Sequence, residues 1–304
     1  MTLWLPQSLL GQKSIPKHQK PDLTVRIGII VEDDPLGTIA PETQGYFKSL
    51  KLQKMIDGRL VEVEPIAINA FIRSRIKIAG LSGTEVTSAV ASLVKKDLQH
   101  IHGLVIPGDD FNFPPFRKNH DPIAELLAYN GKKESHSEKT IFNMTAKEFY
   151  QRFPKHLLNP YPDSLIYEGI AIKTLSGSSF PMLSSCHGTL MYGFLHGANF
   201  KAGIKGHISH NERKTQLLKG SKAFELLGPY DTITKHFHSI ALLRAGFPSS
   251  LINSGWEEDL AEIIEDPQNP YYLGFQGHPE LSPDHPALDF LIKRAVRQLD
   301  KQNA

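Results

Sequence analysis

The sequence predicts an α/β protein, a three-layer sandwich built on a central, mostly parallel sheet. Three observations predict it. Short apolar runs alternate with stretches of helical period from Val25 to Ile106. Two of those runs, Val25-Arg26-Ile27-Gly28-Ile29-Ile30-Val31 and Gly103-Leu104-Val105-Ile106, have the near-continuous character of strands buried on both faces. Sharp corners at Pro107-Gly108 and Cys186 directly follow such runs. Sheets of this kind gather their sites beyond the carboxyl ends of their strands.

Taken in order, residues 1–24 read as an extended lead-in, with prolines at 6, 16 and 21 and lysines between them. The first strand starts at Val25. A helix is expected over 45–57, with Phe47, Leu50, Leu52 and Met55 as its apolar set. Leu60 to Ile66 alternates and reads as a strand. Thr84 to His100 places Val86, Val90, Leu93, Val94 and Leu98 near helical spacing. Residues 111–162 break the rhythm and read as an insertion with short helices over Pro122–Tyr129 and Thr145–Phe153, beside the active edge of one domain spanning 25–304. Asp163 and Glu168 are assigned to the solvated face of the following helix. Trp256 to Asp259 reads as a turn.

Composition narrows the function classes. A chain of 304 residues with 40% hydrophobic and 22% charged content can bury a sizeable core. A net charge of +2 gives no reason to expect nucleic acid as a partner, and no apolar run is long enough to cross a bilayer. The single cysteine excludes an intramolecular disulfide framework and fits a reducing compartment. The opening residues lack a basic start and an apolar h-region, so a cytoplasmic location is expected.

That one cysteine, Cys186, stands in Met182-Leu183-Ser184-Ser185-Cys186-His187-Gly188-Thr189-Leu190, an apolar approach, a small-residue corner and a helix-like run. Near the far end, Tyr271-Tyr272-Leu273-Gly274-Phe275-Gln276-Gly277-His278-Pro279-Glu280 reads as a strand closing on a histidine and a carboxylate. A cysteine attacks carbonyls as thiolate and needs a base beside it. A histidine fills that role, and a carboxylate on its far nitrogen fixes the tautomer. In an extended segment residues two apart share a side, which lets Glu280 reach His278. Attack creates an oxyanion, for which the backbone amides of His187 and of Gly108 or Asp109 are the candidate donors. His207, His210, His236 and His238 lack a matching carboxylate or cysteine set nearby in sequence and are assigned to surface or core, so no metal and no cofactor are expected.

The order strand-Pro-Gly, strand-Cys-x-Gly-helix, strand-x-His-Pro-Glu resembles the flavodoxin-like class I glutamine amidotransferase fold, especially its gamma-glutamyl hydrolase-like branch, peptidase family C26. The resemblance runs from about Val25 to Leu299 and rests on Leu104-Val105-Ile106-Pro107-Gly108, Cys186-His187-Gly188 and Gly274-Phe275-Gln276-Gly277-His278-Pro279-Glu280. It implies a triad of Cys186, His278 and Glu280 acting on a gamma-glutamyl amide. Three positions depart from the family pattern. Ser184 stands where glycine is usual, Asp109 replaces the second of two glycines, and His187 follows the nucleophile in place of arginine or glycine. His236-Phe237-His238-Ser239 loosely matches the branch's His-His-Gln segment, which makes His238 a candidate substrate contact. The leading expectation is a hydrolase that cleaves gamma-glutamyl amides through a thioester on Cys186, taking a small gamma-glutamyl substrate. The alternatives are a glutaminase subunit supplying ammonia to a synthetase partner, and a non-enzymatic ligand-binding member. A homodimer is left open.

Overall fold

The computed structural model describes residues 20–31, 41–72, 75–77, 81, 83–108, 162–202, 204, 214–236, 238, 240–282 and 284–304. The proposed insertion, apart from Pro162, lies outside them, as do Asp109, His207, His210 and most of the lead-in.

The centre of the sheet is made by β1 (Leu23–Val31), β3 (Arg59–Asn69), β4 (Gly103–Ile106), β5 (Met182–Ser185) and β12 (Tyr272–Phe275). They lie in the order β3-β1-β4-β5-β12, and every pairing among them is parallel. Antiparallel strands flank this centre. β2 (Leu52–Ile56) closes one side against β3. On the other, β11 (Leu260–Glu265) pairs with β12 and β10 (Ile252–Glu257) with β11, followed outward by β7 (Thr215–Leu217) and β8 (Tyr230–Asp231). β9 (Ile240–Leu243) pairs with β11 and with β6 (Phe200–Ala202). The expected three-layer sandwich with a parallel centre is therefore the observed architecture.

Side-chain alternation along the central strands builds two cores. Val25, Ile27 and Ile29 of β1, with Val105, Leu183, Leu273 and Phe275, face α1 (Pro41–Leu50), α5 (Lys222–Leu227) and α6 (Pro286–Asn303). Ile30, Leu104, Ile106, Met182 and Tyr272 face α2 (Gly83–Leu98), α3 (Pro162–Leu175) and α4 (His187–Leu195). The strands read as unbroken apolar runs because both faces are covered.

Four sequence expectations need correction. Leu23 and Thr24, assigned to the lead-in, already pair with Val61 and Glu62. The helix expected over 45–57 stops at Leu50, and Leu52 and Met55 belong to β2, an edge strand that leaves Met55 exposed. Apolar residues at 47, 50, 52 and 55 follow neither period cleanly, and the Asp57-Gly58 hairpin, with both residues at positive φ, decides for strand. Glu168 is fully buried rather than solvated. The Trp256–Asp259 turn is a two-residue hairpin, with Trp256 and Glu257 ending β10 before it.

Gly188, in the first turn of α4, is held by close approach. A Cβ there would lie 2.5 Å from the Ile106 carbonyl oxygen and 2.7 Å from its Cγ2. Gly188→Ala should therefore destabilise the fold by roughly 1–3 kcal/mol through overpacking. The expected readout is a lowered urea midpoint with an unchanged slope, and an unmoved midpoint would refute the close packing of α4 on β4.

Candidate active site

Because β4, β5 and β12 are adjacent and parallel, their carboxyl ends lie side by side, and each end delivers one part of the site. β4 runs into Pro107-Gly108, β5 into Cys186, and β12 into Gln276-Gly277-His278-Pro279-Glu280. Cys186 caps α4 with φ 44° and ψ −107°, a positive-φ conformation that is uncommon for a residue with a side chain. The strain is held from both sides. The Cys186 N–H donates to the Phe275 carbonyl at 2.8 Å, and its own carbonyl accepts from Leu190 N–H at 3.0 Å. Such cost persists where surrounding structure over-determines it, commonly at functional sites.

His278 Nδ1 lies 2.7 Å from Glu280 Oε1, both side chains fully buried. The route differs from the extended segment expected. β12 ends at Phe275, and Pro279–Leu281 form a 3₁₀ turn that His278 caps, so a tight turn brings the carboxylate to the ring. Burial works to discharge the imidazole, but the Glu280 carboxylate and the neighbouring Cys186 thiol outweigh it, and the His278 pKa stands well above the ordinary histidine value.

Gly108 lies against both Cys186 and His278. A Cβ on it would fall 2.7 Å from His278 Cε1 and 2.9 Å from Cys186 Cβ, so a side chain is excluded. His187 directs its side chain away from this centre, with Nε2 2.7 Å from Glu168 Oε2 in a buried pair. Its backbone stays at the N-terminus of α4, where helix amides point outward toward negative charge. Ser184 is also accounted for. Its hydroxyl lies 2.8 Å from both Thr189 Oγ1 and Tyr272 Oη, and Thr189 donates to the Phe275 carbonyl at 2.7 Å. Gly274 pairs with Ser184 and leaves room, since a Cβ there would meet Tyr272 Oη at 2.3 Å. The serine thus belongs to a hydroxyl network beneath the thiol.

Sequence reasoning missed the helix that seats the carboxylate. Gly45 of α1 is in tight contact with Glu280, a Cβ there lying 3.0 Å from its Cγ, and Ser49 Oγ donates to the Glu280 carbonyl at 3.2 Å. Tyr46 is fully buried between them. Burial, with the Glu280 charge beside it, pushes the Tyr46 hydroxyl well above a tyrosine's ordinary value. No local motif links residue 46 to residue 280. His238, the candidate substrate contact, instead directs Nε2 toward His236 Nδ1 and Glu262 Oε2, each 3.4 Å away. Glu262 lies on β11, far from both histidines in sequence, which is why no matching carboxylate was visible there.

No family model matches the chain. The sequence is 31% identical over 105 residues to a CTP synthase from Pyrobaculum calidifontis, covering 31% of this chain and 20% of that one. It is 28% identical over 130 residues to anthranilate synthase component 2 from Pyropia yezoensis, covering 41% and 67% respectively. The chain thus spans about a fifth of the CTP synthase it matches. A candidate GMP synthase subunit from Thermoplasma acidophilum superposes with a TM-score of 0.52 at 15% identity, covering 94% of this chain and all of that one. The fold is that of class I glutamine amidotransferase domains. The likeness shows the fold and does not reach the gamma-glutamyl hydrolase branch that the sequence motifs suggested. Among the described residues, no helix is long and apolar enough to cross a membrane.

The raised His278 pKa sets the sign of a pH effect. The folded state holds this proton more tightly than the unfolded chain, so the stabilisation is fully present below the unfolded value of about 6.5 and is lost as pH rises through the folded one. The urea midpoint should fall with rising pH above neutrality. Glu280→Gln should flatten that slope, and equal slopes in both proteins would contradict the pairing.

Proposed function

We propose that the chain is a cysteine-dependent glutaminase that delivers ammonia to a synthetase partner. The observation that carries this reading is the buried Cys186–His278–Glu280 arrangement at the ends of adjacent parallel strands. Cys186 attacks the side-chain amide carbon of glutamine, and His278 takes the thiol proton and passes it to the leaving nitrogen, releasing ammonia. The gamma-glutamyl thioester is then resolved by water, with His278 as base, giving glutamate. Glu280 holds the imidazole in the working tautomer and balances its charge. The amides of His187 and Gly108, with Asp109 as a further candidate, donate to the oxyanion of both tetrahedral intermediates, and one such donor is worth roughly 3–4 kcal/mol.

The sequence motifs alone favoured substituted gamma-glutamyl amides. The similarity to a CTP synthase, to anthranilate synthase component 2 and to a candidate GMP synthase subunit supports the synthetase-linked reading instead. A hydrolase of gamma-glutamyl amines remains the second reading, because the triad itself serves either amide.

Cys186→Ala and His278→Ala should each lower turnover by about 10⁴-fold or more while keeping the far-UV spectrum of the parent. Glu280→Gln should retain roughly ten- to a hundredfold more activity than either, since it removes orientation but no proton-transfer group. Retained turnover in Cys186→Ala would exclude it as nucleophile.

Substrate choice separates the two readings. Purified protein is assayed for ammonia from glutamine and for amine release from a panel of gamma-glutamyl amines. Glutamine should be preferred at least about tenfold in kcat/KM, a gap of about 1.4 kcal/mol in transition-state binding. Faster cleavage of substituted amides would return the protein to the hydrolase reading.

A further inference from the structure

His236, His238 and Glu262 form a second chemical cluster, separate from the Cys186 triad. All three side chains are buried. His236 Nδ1, His238 Nε2 and Glu262 Oε2 mark the corners of a nearly equilateral triangle with all three sides 3.4 Å. That spacing is long for hydrogen bonds, whose N···O distances centre near about 2.9–3.0 Å. It fits another geometry. In a regular tetrahedron the centre lies at the edge length divided by about 1.63, so edges of 3.4 Å put a central atom about 2.1 Å from each corner, the distance at which zinc takes imidazole nitrogen and carboxylate oxygen.

We propose that these three residues bind one divalent ion of the zinc class. Two imidazoles and one carboxylate are a donor set such ions favour, and it leaves a fourth position open. Gln276 supplies the polar partner for the open position. The Ile263–Phe275 register and the Gln276 N–H bond to the Glu262 carbonyl, 2.7 Å, set the two residues opposite one another, with side chains on the same face of the sheet. Both polar atoms of the Gln276 amide are buried, and neither has a hydrogen-bond partner among the described residues.

The ion ties the loop that precedes β9 to β11. That loop is fixed elsewhere too. Asp231 accepts from the amides of Ile233 and Thr234 at 3.0 and 3.1 Å, and the Lys235 carbonyl accepts from the His278 N–H at 2.7 Å. The metal therefore steadies the backbone that carries His278. This inference does not rest on the proposed reaction.

The test uses the full chain, stripped with a chelator and titrated with Zn²⁺. About one equivalent should bind tightly, with a rise in Tm. X-ray absorption of the zinc-loaded protein should show nitrogen and oxygen ligands at about 2.0–2.2 Å and no sulfur at about 2.3 Å. Glu262→Gln, nearly unchanged in shape, and His238→Ala should each weaken zinc binding at least about 100-fold, whereas Cys186→Ala should bind as the parent does. Less than a tenth of an equivalent bound, a sulfur ligand, or unaltered affinity in Glu262→Gln would overturn the proposal. The X-ray absorption result on the unsubstituted protein decides the matter if His238→Ala does not fold.

Discussion

The candidate site depends on one constraint, the parallel pairing of β4, β5 and β12 as immediate neighbours. Parallel strands with buried faces end at the same edge, so Gly108, Cys186 and His278 meet there without any of them being close in sequence. The contact tolerates almost no added volume. Gly108 is pressed against both Cys186 and His278, and Gly188 is pressed against the end of β4. The positive φ at Cys186 belongs to the same constraint, since the strand must turn sharply to present the sulfur while its N–H stays bonded to β12.

Around this edge the protein buries a number of polar groups that would be costly if left unpaired. Several are matched by a partner elsewhere in the chain. Glu280 meets His278 and rests against Gly45 of α1, Glu168 of α3 meets His187, and Ser184, Thr189 and Tyr272 share hydroxyls. Such networks hold a single arrangement because any slippage leaves a buried charge or hydroxyl unsatisfied. They also couple the covering helices to the sheet. α1 packs on the 3₁₀ turn that carries Glu280, and α3 reaches the first residue of α4.

The same logic accounts for the departures from the family pattern at Ser184 and His187. Each is a polar residue with a specific buried partner, so each alters the scaffold under the site rather than the reacting groups. The cluster of His236, His238 and Glu262 beside the His278 strand is a separate structural resource at this edge.

The sequence by itself determined the fold class, because continuous apolar runs record strands buried on both faces, and such runs are local. It also determined the pairing of His278 with Glu280, since two residues separated by one proline are within reach in either an extended segment or a tight turn. It placed a helix where β2 lies, because the spacing of four apolar residues follows neither period cleanly and only the hairpin partner on β3 decides. Tertiary structure alone decided which carboxylates are buried and what they face. Glu168 looked solvated until His187 was beside it, and Glu262 had no visible relation to His236 and His238 until β11 came alongside. Tyr46 reaches Glu280 only because α1 packs over the turn. These contacts join residues far apart along the chain, and no local periodicity encodes them.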